Sequence, residues 1–162
     1  MAKLNTHRIV KNWEFGKLIT PQMSGFRDNG FGRRFSVQSE APYWKEAFEC
    51  FGLIPSVVEP SYKNFIGNNY LDGAFVPKHQ DNAPDGYVHT RCNLMIKKPM
   101  YGGNPIIDDE VLEVDVGDLW LCLASLEKHG TTPIQGGERI IFSFGALVSE
   151  DQVFKLLSIS NI

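Results

Sequence analysis

The fold class is indicated by the stretch VLEVDVGDLWLCLA, which runs from Val111 to Ala124. Its first six residues alternate between apolar and polar side chains, which is the period of a half-buried β-strand. Gly117 and Asp118 then give a turn signal, and an almost continuous apolar strand follows from Leu119. This order of strand, turn and strand predicts a mainly β protein with antiparallel neighbours.

Further strand candidates lie on both sides of this stretch, separated by Gly, Pro and Asp-Gly turns. They cover residues 62–71, 75–76, 90–96 and 139–148. Many short strands divided by such turns predict a sandwich or a barrel. The apolar segment from Val153 to Ile162 has no clear period. We interpret it as a short helix or strand that covers the barrel, or as part of a subunit contact in an oligomer.

One helix is predicted before the strands, from Ala41 to Gly52. Pro42 suits the first helical position, and Gly52 suits the residue just past the end. An apolar face repeats at positions i, i+3, i+4 and i+7, and it consists of Trp44, Ala47, Phe48 and Phe51. This flanking helix is expected to pack on the core.

Length and composition predict one soluble domain. The chain has 162 residues, of which 43% are hydrophobic and 22% are charged, as is usual for a globular protein. We expect a single domain over residues 1–162, with the core at about 61–148 and helical and loop support from 1–60. The net charge of −3 gives no general attraction to nucleic acid or to anionic membranes.

Cysteine usage and the N-terminus favour a cytoplasmic location. The three cysteines, Cys50, Cys92 and Cys122, include no CxxC pair, which argues against a disulfide framework or a zinc ribbon. The first 13 residues lack the apolar centre of a secretory signal. No apolar run approaches the roughly 20 residues that span a bilayer.

The candidate metal ligands begin with His79-Gln80-Asp81. In an extended segment, residues two positions apart point to the same side, so His79 and Asp81 can meet one metal ion. His129 follows 48 residues after Asp81, at the end of a strand. Two histidines and one carboxylate form the facial triad of non-haem iron(II) oxygenases, which leaves positions for a 2-oxo acid and oxygen. An isolated H-x-D is weak evidence, and His7 and His89 have no such acidic partner.

Arg139 strengthens this interpretation. It lies ten residues after His129 and enters an otherwise apolar strand. Burying an unpaired charge is costly, and a dicarboxylate co-substrate would provide a bidentate partner. The alternative is a salt bridge to a carboxylate such as Asp115 or Glu138.

The ordered motifs resemble the 2-oxoglutarate/iron(II) oxygenase superfamily, and in particular its prolyl-4-hydroxylase-like branch. The resemblance spans residues 64–148. The motifs are Asn69 to Asp81, Gly102-Gly103-Asn104, Val116 to Trp120, His129 to Pro133, and Gly137-Glu138-Arg139. It implies a distorted double-stranded β-helix of the jelly-roll or cupin type.

The resemblance also implies a function. Members of the superfamily are dioxygenases that use Fe(II), 2-oxoglutarate and O2, supported by ascorbate, and they release succinate and CO2. The expected reaction is hydroxylation of a C–H bond in an amino-acid side chain, either free or within a peptide or protein. By this resemblance His79, Asp81 and His129 bind the metal and act in catalysis, and Arg139 binds the distal carboxylate of 2-oxoglutarate.

Two further co-substrate contacts are predicted, one on another strand and one on the strand of Arg139. Tyr70 stands nine residues before His79, where the family often has a tyrosine that faces the pocket; the alternative is ordinary strand core. Ser143 lies four residues after Arg139 and therefore shares its face of the strand. We expect Ser143 to hydrogen-bond the same carboxylate.

The strand at residues 90–96 provides the remaining candidates, Arg91 and Lys98. In related proteins this strand contributes a contact to the co-substrate or the substrate. Which of Arg91, Asn93 and Lys98 faces inward depends on the register, because a slip of one residue reverses the answer.

Substrate class is left open by the sequence. The face of the last strand lacks the second Arg and the Asn of the family's nucleic-acid dealkylases, which argues against DNA or RNA as a substrate. Retention of Asp81 argues against halogenation. Alternatives are a non-catalytic cupin-like binding module and an oxygenase of a small metabolite or nucleotide. We expect specificity to come from residues 26–35 and from the loop at 82–87.

Overall fold

The computed structural model describes residues 7–21, 27–28, 33–38, 41–56 and 62–157, with 27–28 and 33–38 described as backbone only. The strands in this part of the chain are β1 (Ile9–Val10), β2 (Arg27–Asp28), β3 (Arg33–Gln38), β4 (Asn64–Asn69), β5 (Tyr87–Lys97), β6 (Pro105–Ile107), β7 (Glu110–Val111), β8 (Leu119–Cys122), β9 (His129–Thr131) and β10 (Arg139–Ser149). The helices are α1 (Trp44–Glu49) and α2 (Glu150–Leu156), with a 3-10 turn at Gly16–Leu18.

The strands form two antiparallel sheets. The larger sheet has the order β1-β8-β5-β10-β4-β3-β2, and the smaller sheet has the order β7-β6-β9. An isolated bridge between His79 and His129 adds the segment before Asp81 to the free edge of β9. The two facing sheets form a double-stranded β-helix, which confirms the predicted fold class.

The long strand β10 lies at the centre of the larger sheet, and side chains pack on both of its faces. One face carries Phe142, Phe144, Ala146 and Val148 into the main apolar core, together with α1 and the N-terminal Trp13. The other face turns Ile141 towards the smaller sheet, into a second cluster with Met95, Ile107 and Trp120. Burial on both faces explains why the sequence of β10 is continuously apolar rather than alternating.

Helix α1 packs on the main core through the predicted face, since Ala47, Phe48 and Phe51 are buried. Each fully buried Phe contributes about 1.5–3 kcal/mol to this packing. The predicted start of the helix is wrong. Tyr43 adopts a left-handed conformation, with φ of 65°, and caps the helix, so that Pro42 lies outside the first turn.

The strand predicted at residues 111–116 is also shorter than expected. Only Glu110–Val111 forms strand β7. Leu112 and Val114 are nevertheless buried, while Glu113 and Val116 are exposed. The alternation therefore reports burial correctly from Leu112 to Val114 but not at Val116, and the backbone leaves the ladder after Val111. The apolar segment predicted from Val153 to Ile162 begins within helix α2, and its residues 158–162 lie outside the described part of the chain.

No helix in the described residues is long and apolar enough to cross a membrane.

Of the two predicted specificity segments, the loop at 82–87 is described in full. The segment at 26–35 falls partly outside the described residues, and only its backbone is seen at 27–28 and 33–35, where β2 pairs with β3.

Candidate metal centre

The backbone holds the two metal-binding segments side by side. The His79 N–H donates to the His129 carbonyl at 3.0 Å, and the His129 N–H donates back to the His79 carbonyl at 2.9 Å. Two residues further, the Asp81 N–H donates to the Ala124 carbonyl at 2.9 Å. These bonds keep residues 79–81 extended, so that His79 and Asp81 project to the same side, as the H-x-D spacing predicts.

The three predicted ligands converge. His79 Nε2 lies 3.3 Å from Asp81 Oδ1, and His129 Nε2 lies 3.8 Å from Asp81 Oδ2. Each residue offers one ligand atom, and these atoms all lie within 4.8 Å of one another. Two imidazole nitrogens and one carboxylate oxygen are a suitable donor set for a non-haem iron(II) centre.

Both imidazole rings are oriented in the same way. His79 Nδ1 lies 2.9 Å from the Pro77 carbonyl, and His129 Nδ1 lies 2.8 Å from the Glu127 carbonyl. A carbonyl partner places the proton on Nδ1, which leaves Nε2 with its lone pair directed at the shared point. The ring orientation therefore fits a metal ion at that point.

The protonation states also fit a metal ion. Burial lowers the pKa of His129, against the opposing effect of the hydrogen bond to the Glu127 carbonyl. Burial by itself raises the pKa of the Asp81 carboxyl, but the neighbouring imidazoles of His79, His129 and His89 outweigh burial and lower that pKa. At neutral pH the site thus presents a neutral His129 and an ionised Asp81, the forms that bind metal.

A buried ion pair supports the segment that carries His129. Arg8 Nη1 and Nη2 donate to Glu127 Oε1 and Oε2 at 3.0 and 2.7 Å. The same carboxylate accepts the Leu123 N–H at 2.9 Å, while Arg8 also donates to the Leu121 carbonyl at 2.7 Å. The Glu127 carbonyl orients the His129 ring. The ion pair with Arg8 therefore stabilises the position of one candidate metal ligand.

The three ligands line a cavity of about 540 Å³ between the two sheets. Arg139 lines the same cavity and is 3% exposed. Its Nε donates to the Gly103 carbonyl at 2.7 Å, and its Nη1 lies 3.4 Å from Asn69 Oδ1. The carboxylates considered as alternative partners are engaged by lysines, Asp115 by Lys11 at 3.0 Å and Glu138 by Lys97 at 3.8 Å.

The other predicted contacts divide into two groups. Arg91, Asn93 and Ser143 line the cavity, which settles the register of β5. Lys98 lies outside the cavity, because it follows the end of β5 and its Nζ donates to the Val114 carbonyl at 2.7 Å. Tyr70 is half-buried and is not a lining residue, since the adjacent Asn69 takes the cavity-facing position. Neither Lys98 nor Tyr70 lines the cavity, and their roles as co-substrate contacts stay predictions.

Ser143 occupies a different neighbourhood from the one predicted. It shares the cavity face of β10 with Arg139, but its hydroxyl lies 3.4 Å from Arg91 Nη1. Arg91 is almost fully buried, and burial lowers its pKa to about 10, so the guanidinium remains charged at neutral pH. Its Nη1 donates to the Lys63 carbonyl at 2.8 Å.

His89 is a cavity residue that sequence reasoning set aside. Its Nδ1 lies 3.3 Å from Asp81 Oδ2, and its ring meets the edge of Tyr62 at a centroid distance of 4.9 Å. Burial, assisted by the charge of Arg91, lowers the pKa of His89 to about 3, although Asp81 opposes this, so the ring is neutral. The signal for it in the sequence was the alternation along β5, which places His89, Arg91 and Asn93 on one face.

Comparisons with known proteins agree with this fold. No protein-family model matches the sequence, and no curated protein matches it. The crystal structure of HygX from Streptomyces hygroscopicus, with nickel, 2-oxoglutarate and hygromycin B bound, has a TM-score of 0.53 and 10% identity, and the match covers 88% of this chain and 82% of that one. A prolyl-4-hydroxylase from Pseudomonas putida has a TM-score of 0.47 and 17% identity, over 83% and 79% of the two chains.

An RmlC-like cupin from Shewanella frigidimarina is also similar, with a TM-score of 0.44 and 13% identity over 86% of this chain and 95% of that one. Identities at this level show the fold alone. Fold and site together define a double-stranded β-helix protein, the architecture of cupins and of 2-oxoglutarate/iron(II) oxygenases, with a His-Asp-His group on the wall of its cavity.

Proposed function

We propose that this protein is an Fe(II)- and 2-oxoglutarate-dependent dioxygenase of the prolyl-hydroxylase-like branch that hydroxylates a C–H bond of an amino-acid side chain. The proposal rests on one observation. The ligand atoms of His79, Asp81 and His129 converge within 4.8 Å on the wall of a cavity that also contains the buried Arg139. HygX, which shares the fold, has nickel and 2-oxoglutarate in its crystal structure.

Each residue has a defined task in this proposal. His79 and His129 hold the metal through Nε2, and Asp81 holds it through its carboxylate. Arg139 binds the distal carboxylate of 2-oxoglutarate, and its burial strengthens that charge-assisted contact. Iron(II) bound there would supply the redox chemistry: one atom of O2 would enter the substrate C–H bond, and the other would enter succinate as 2-oxoglutarate loses CO2.

The remaining cavity wall controls access of water. Its apolar residues include Phe65, Ile107, Trp120 and Ile141. Ile107, Trp120 and Ile141 are each less than 9% exposed and belong to the packed cluster between the sheets. A rigid apolar wall orients a ligand and excludes solvent from the reacting bond.

The test is an anaerobic titration of the protein with iron(II) and 2-oxoglutarate, followed by the weak visible charge-transfer band of that complex. We expect the wild type to show the band, His129→Ala to lose it, and Arg139→Ala to need much more 2-oxoglutarate. His7→Ala, an exposed histidine outside the cavity, is the matched control and should behave as wild type. Circular dichroism confirms that each variant is folded.

Two results would redirect the assignment. Absence of the band, together with no retained metal, would favour a non-catalytic cupin-like binding module. A band without conversion of any peptide or amino acid, but with succinate production on small acids or nucleotides, would favour an oxygenase of a small metabolite. Turnover assays with iron(II), ascorbate and oxygen across both panels distinguish these outcomes.

A further inference from the structure

The cavity-facing side of β5 carries three polar side chains in succession, His89, Arg91 and Asn93, which we call the β5 polar row. They alternate with Thr90 and Cys92, so all three face the cavity. Both ring nitrogens of His89 lack a hydrogen-bond partner among the described residues, and His89 Nδ1 only approaches Asp81 Oδ2, at 3.3 Å. Buried polar groups are normally paired, so the row is arranged for a partner that enters the cavity.

Arg91 is the centre of this row. A guanidinium has five N–H donors, and the described acceptors engage only Nη1, at Lys63 O and, over 3.4 Å, at Ser143 Oγ. No carboxylate among the described residues lies within 4.0 Å of it. The guanidinium carbon lies 4.8 Å from the Phe65 ring centroid, which adds a cation–π contact but does not neutralise the charge.

Arg91 lies at a different end of the cavity from Arg139. In the sheet Arg91 pairs with Gly145, which is six residues beyond Arg139 on β10. The two backbone positions are therefore separate along β10, although both arginine side chains line the same cavity. The candidate metal ligands lie at the end of the cavity that contains Arg91, because the neighbouring His89 contacts Asp81. A co-substrate held by Arg139 at its distal carboxylate therefore leaves Arg91 for a second ligand.

We propose that Arg91 binds the carboxylate of the oxidised substrate, so that the substrate is a small carboxylic acid, such as a free amino acid, and not an internal residue of a peptide. The proposal rests on the proposed function and narrows its substrate class. Arg91 Nε and Nη2 form the edge that matches a carboxylate in a bidentate contact. His89 and Asn93 contact the same molecule on either side.

Arg91 is the charged member of the β5 polar row, and a carboxylate monoanion matches one guanidinium in both charge and bidentate geometry. The cavity volume of about 540 Å³ suits a small molecule beside the co-substrate.

The test is ligand-observed NMR on the full chain, both metal-free and loaded with zinc(II), a redox-inert substitute, plus 2-oxoglutarate. The probes are small monocarboxylic acids, from acetate to the common free amino acids, each paired with its uncharged amide. We expect at least one acid to bind about ten-fold or more tightly than its amide in the wild type. Arg91→Met should abolish that preference, Arg91→Lys should retain part of it, and Lys97→Met, an exposed cation on the same strand, should keep it.

Two results would overturn the proposal. In one, no acid is distinguished from its amide by the wild-type protein. In the other, Arg91→Met weakens binding of 2-oxoglutarate as much as Arg139→Met does, which would assign Arg91 to the co-substrate. If Arg91→Met fails to fold, the wild-type comparison can still overturn the proposal, through equal binding of every acid and its amide. Failure of the proposed function is recognised separately, by absence of the iron(II)/2-oxoglutarate band.

Discussion

Arg8 and Glu127, 119 residues apart in the chain, form a bidentate ion pair directly behind a candidate metal ligand. The Glu127 side chain is 4% exposed, and its backbone carbonyl orients the His129 ring. Arg8, the residue before strand β1, thus supports the candidate metal centre from outside it.

Replacing Glu127 tests this support. In Glu127→Gln the bidentate pair is lost and the Leu123 N–H loses a charged acceptor, so the segment before His129 is held less firmly. We expect zinc(II) or iron(II) affinity to fall about 10–100-fold, the usual effect of losing an outer-shell partner. Calorimetric metal titration measures this, with the exposed Glu110→Gln as control. Equal affinities in the two variants would show that the ion pair is not needed at the site.

Asp118 is expected to make the stability of the fold dependent on pH. Its carboxylate is 2% exposed and accepts hydrogen bonds from Lys11 and from the backbone N–H groups of Asn12 and Asp115. Burial raises the pKa of Asp118, but these hydrogen bonds outweigh burial and lower it. The unfolded chain therefore binds the proton more readily, and the stabilisation is present above the unfolded pKa of about 3.9 and is lost as pH falls through the lower folded pKa.

Asp118→Asn should accordingly destabilise the protein at pH 7, by about 1.5–3 kcal/mol for hydrogen bonds to a charged group. The difference from wild type should shrink in acid, below about pH 4. Denaturant unfolding at both pH values measures this, and the exposed loop variant Asp85→Asn is the control. A difference that persists unchanged in acid would assign the loss to packing.

The three cysteines are expected to differ in reactivity. Burial raises the pKa of all three thiols, but Cys92 and Cys122 are buried, whereas Cys50 is exposed at the end of α1 and is accessible to a reagent. Thiolates react and thiols do not, so a disulfide reagent at pH 8 should modify one thiol in the native protein and the other two only after unfolding. Cys50→Ser should remove the fast phase. A second fast thiol in the native state would contradict the packing of β5 or β8.

Gly130 is expected to tolerate no side chain. A Cβ atom there would lie 2.5 Å from the Val76 carbonyl oxygen and 3.0 Å from the Lys78 nitrogen. Gly130→Ala must therefore push β9 away from the segment that carries His79. We expect a loss of about 1–3 kcal/mol in unfolding free energy, as for other overpacked sites, together with weaker zinc(II) binding. Wild-type values for both would mean that the two segments can separate without cost.

Much of the site could be predicted because its residues lie in motifs whose spacing has a direct geometric meaning. His79 and Asp81 share one side of an extended segment, and Arg139 is a charge within an apolar strand. The register of β5 could not be predicted, because an alternating strand reads equally well in two registers. Arg91, Asn93 and Lys98 were left undecided for that reason, and the pairing of Arg91 with Gly145 gives the register. His89 was set aside because it has no H-x-D partner in the sequence.

The fold, like the site, could be predicted only in part. The apolar face of α1 follows from helical spacing, but the start of α1 depends on a left-handed Tyr43 that propensity does not indicate. The alternation predicts the burial of Leu112 and Val114, yet Val116 is exposed and strand β7 ends at Val111. Side-chain periodicity records burial, whereas strand length depends on the neighbouring backbone that accepts the hydrogen bonds.

The reciprocal backbone bonds between His79 and His129 have a consequence for how the protein acquires its metal. Because main-chain hydrogen bonds already hold the two rings together, the ion does not have to assemble its own binding site. Chelation should then be reversible, leaving an intact empty scaffold that can be reloaded without a refolding step. For the proposed enzyme in a cell, the fraction of metal-loaded molecules would follow the supply of metal and not the history of folding.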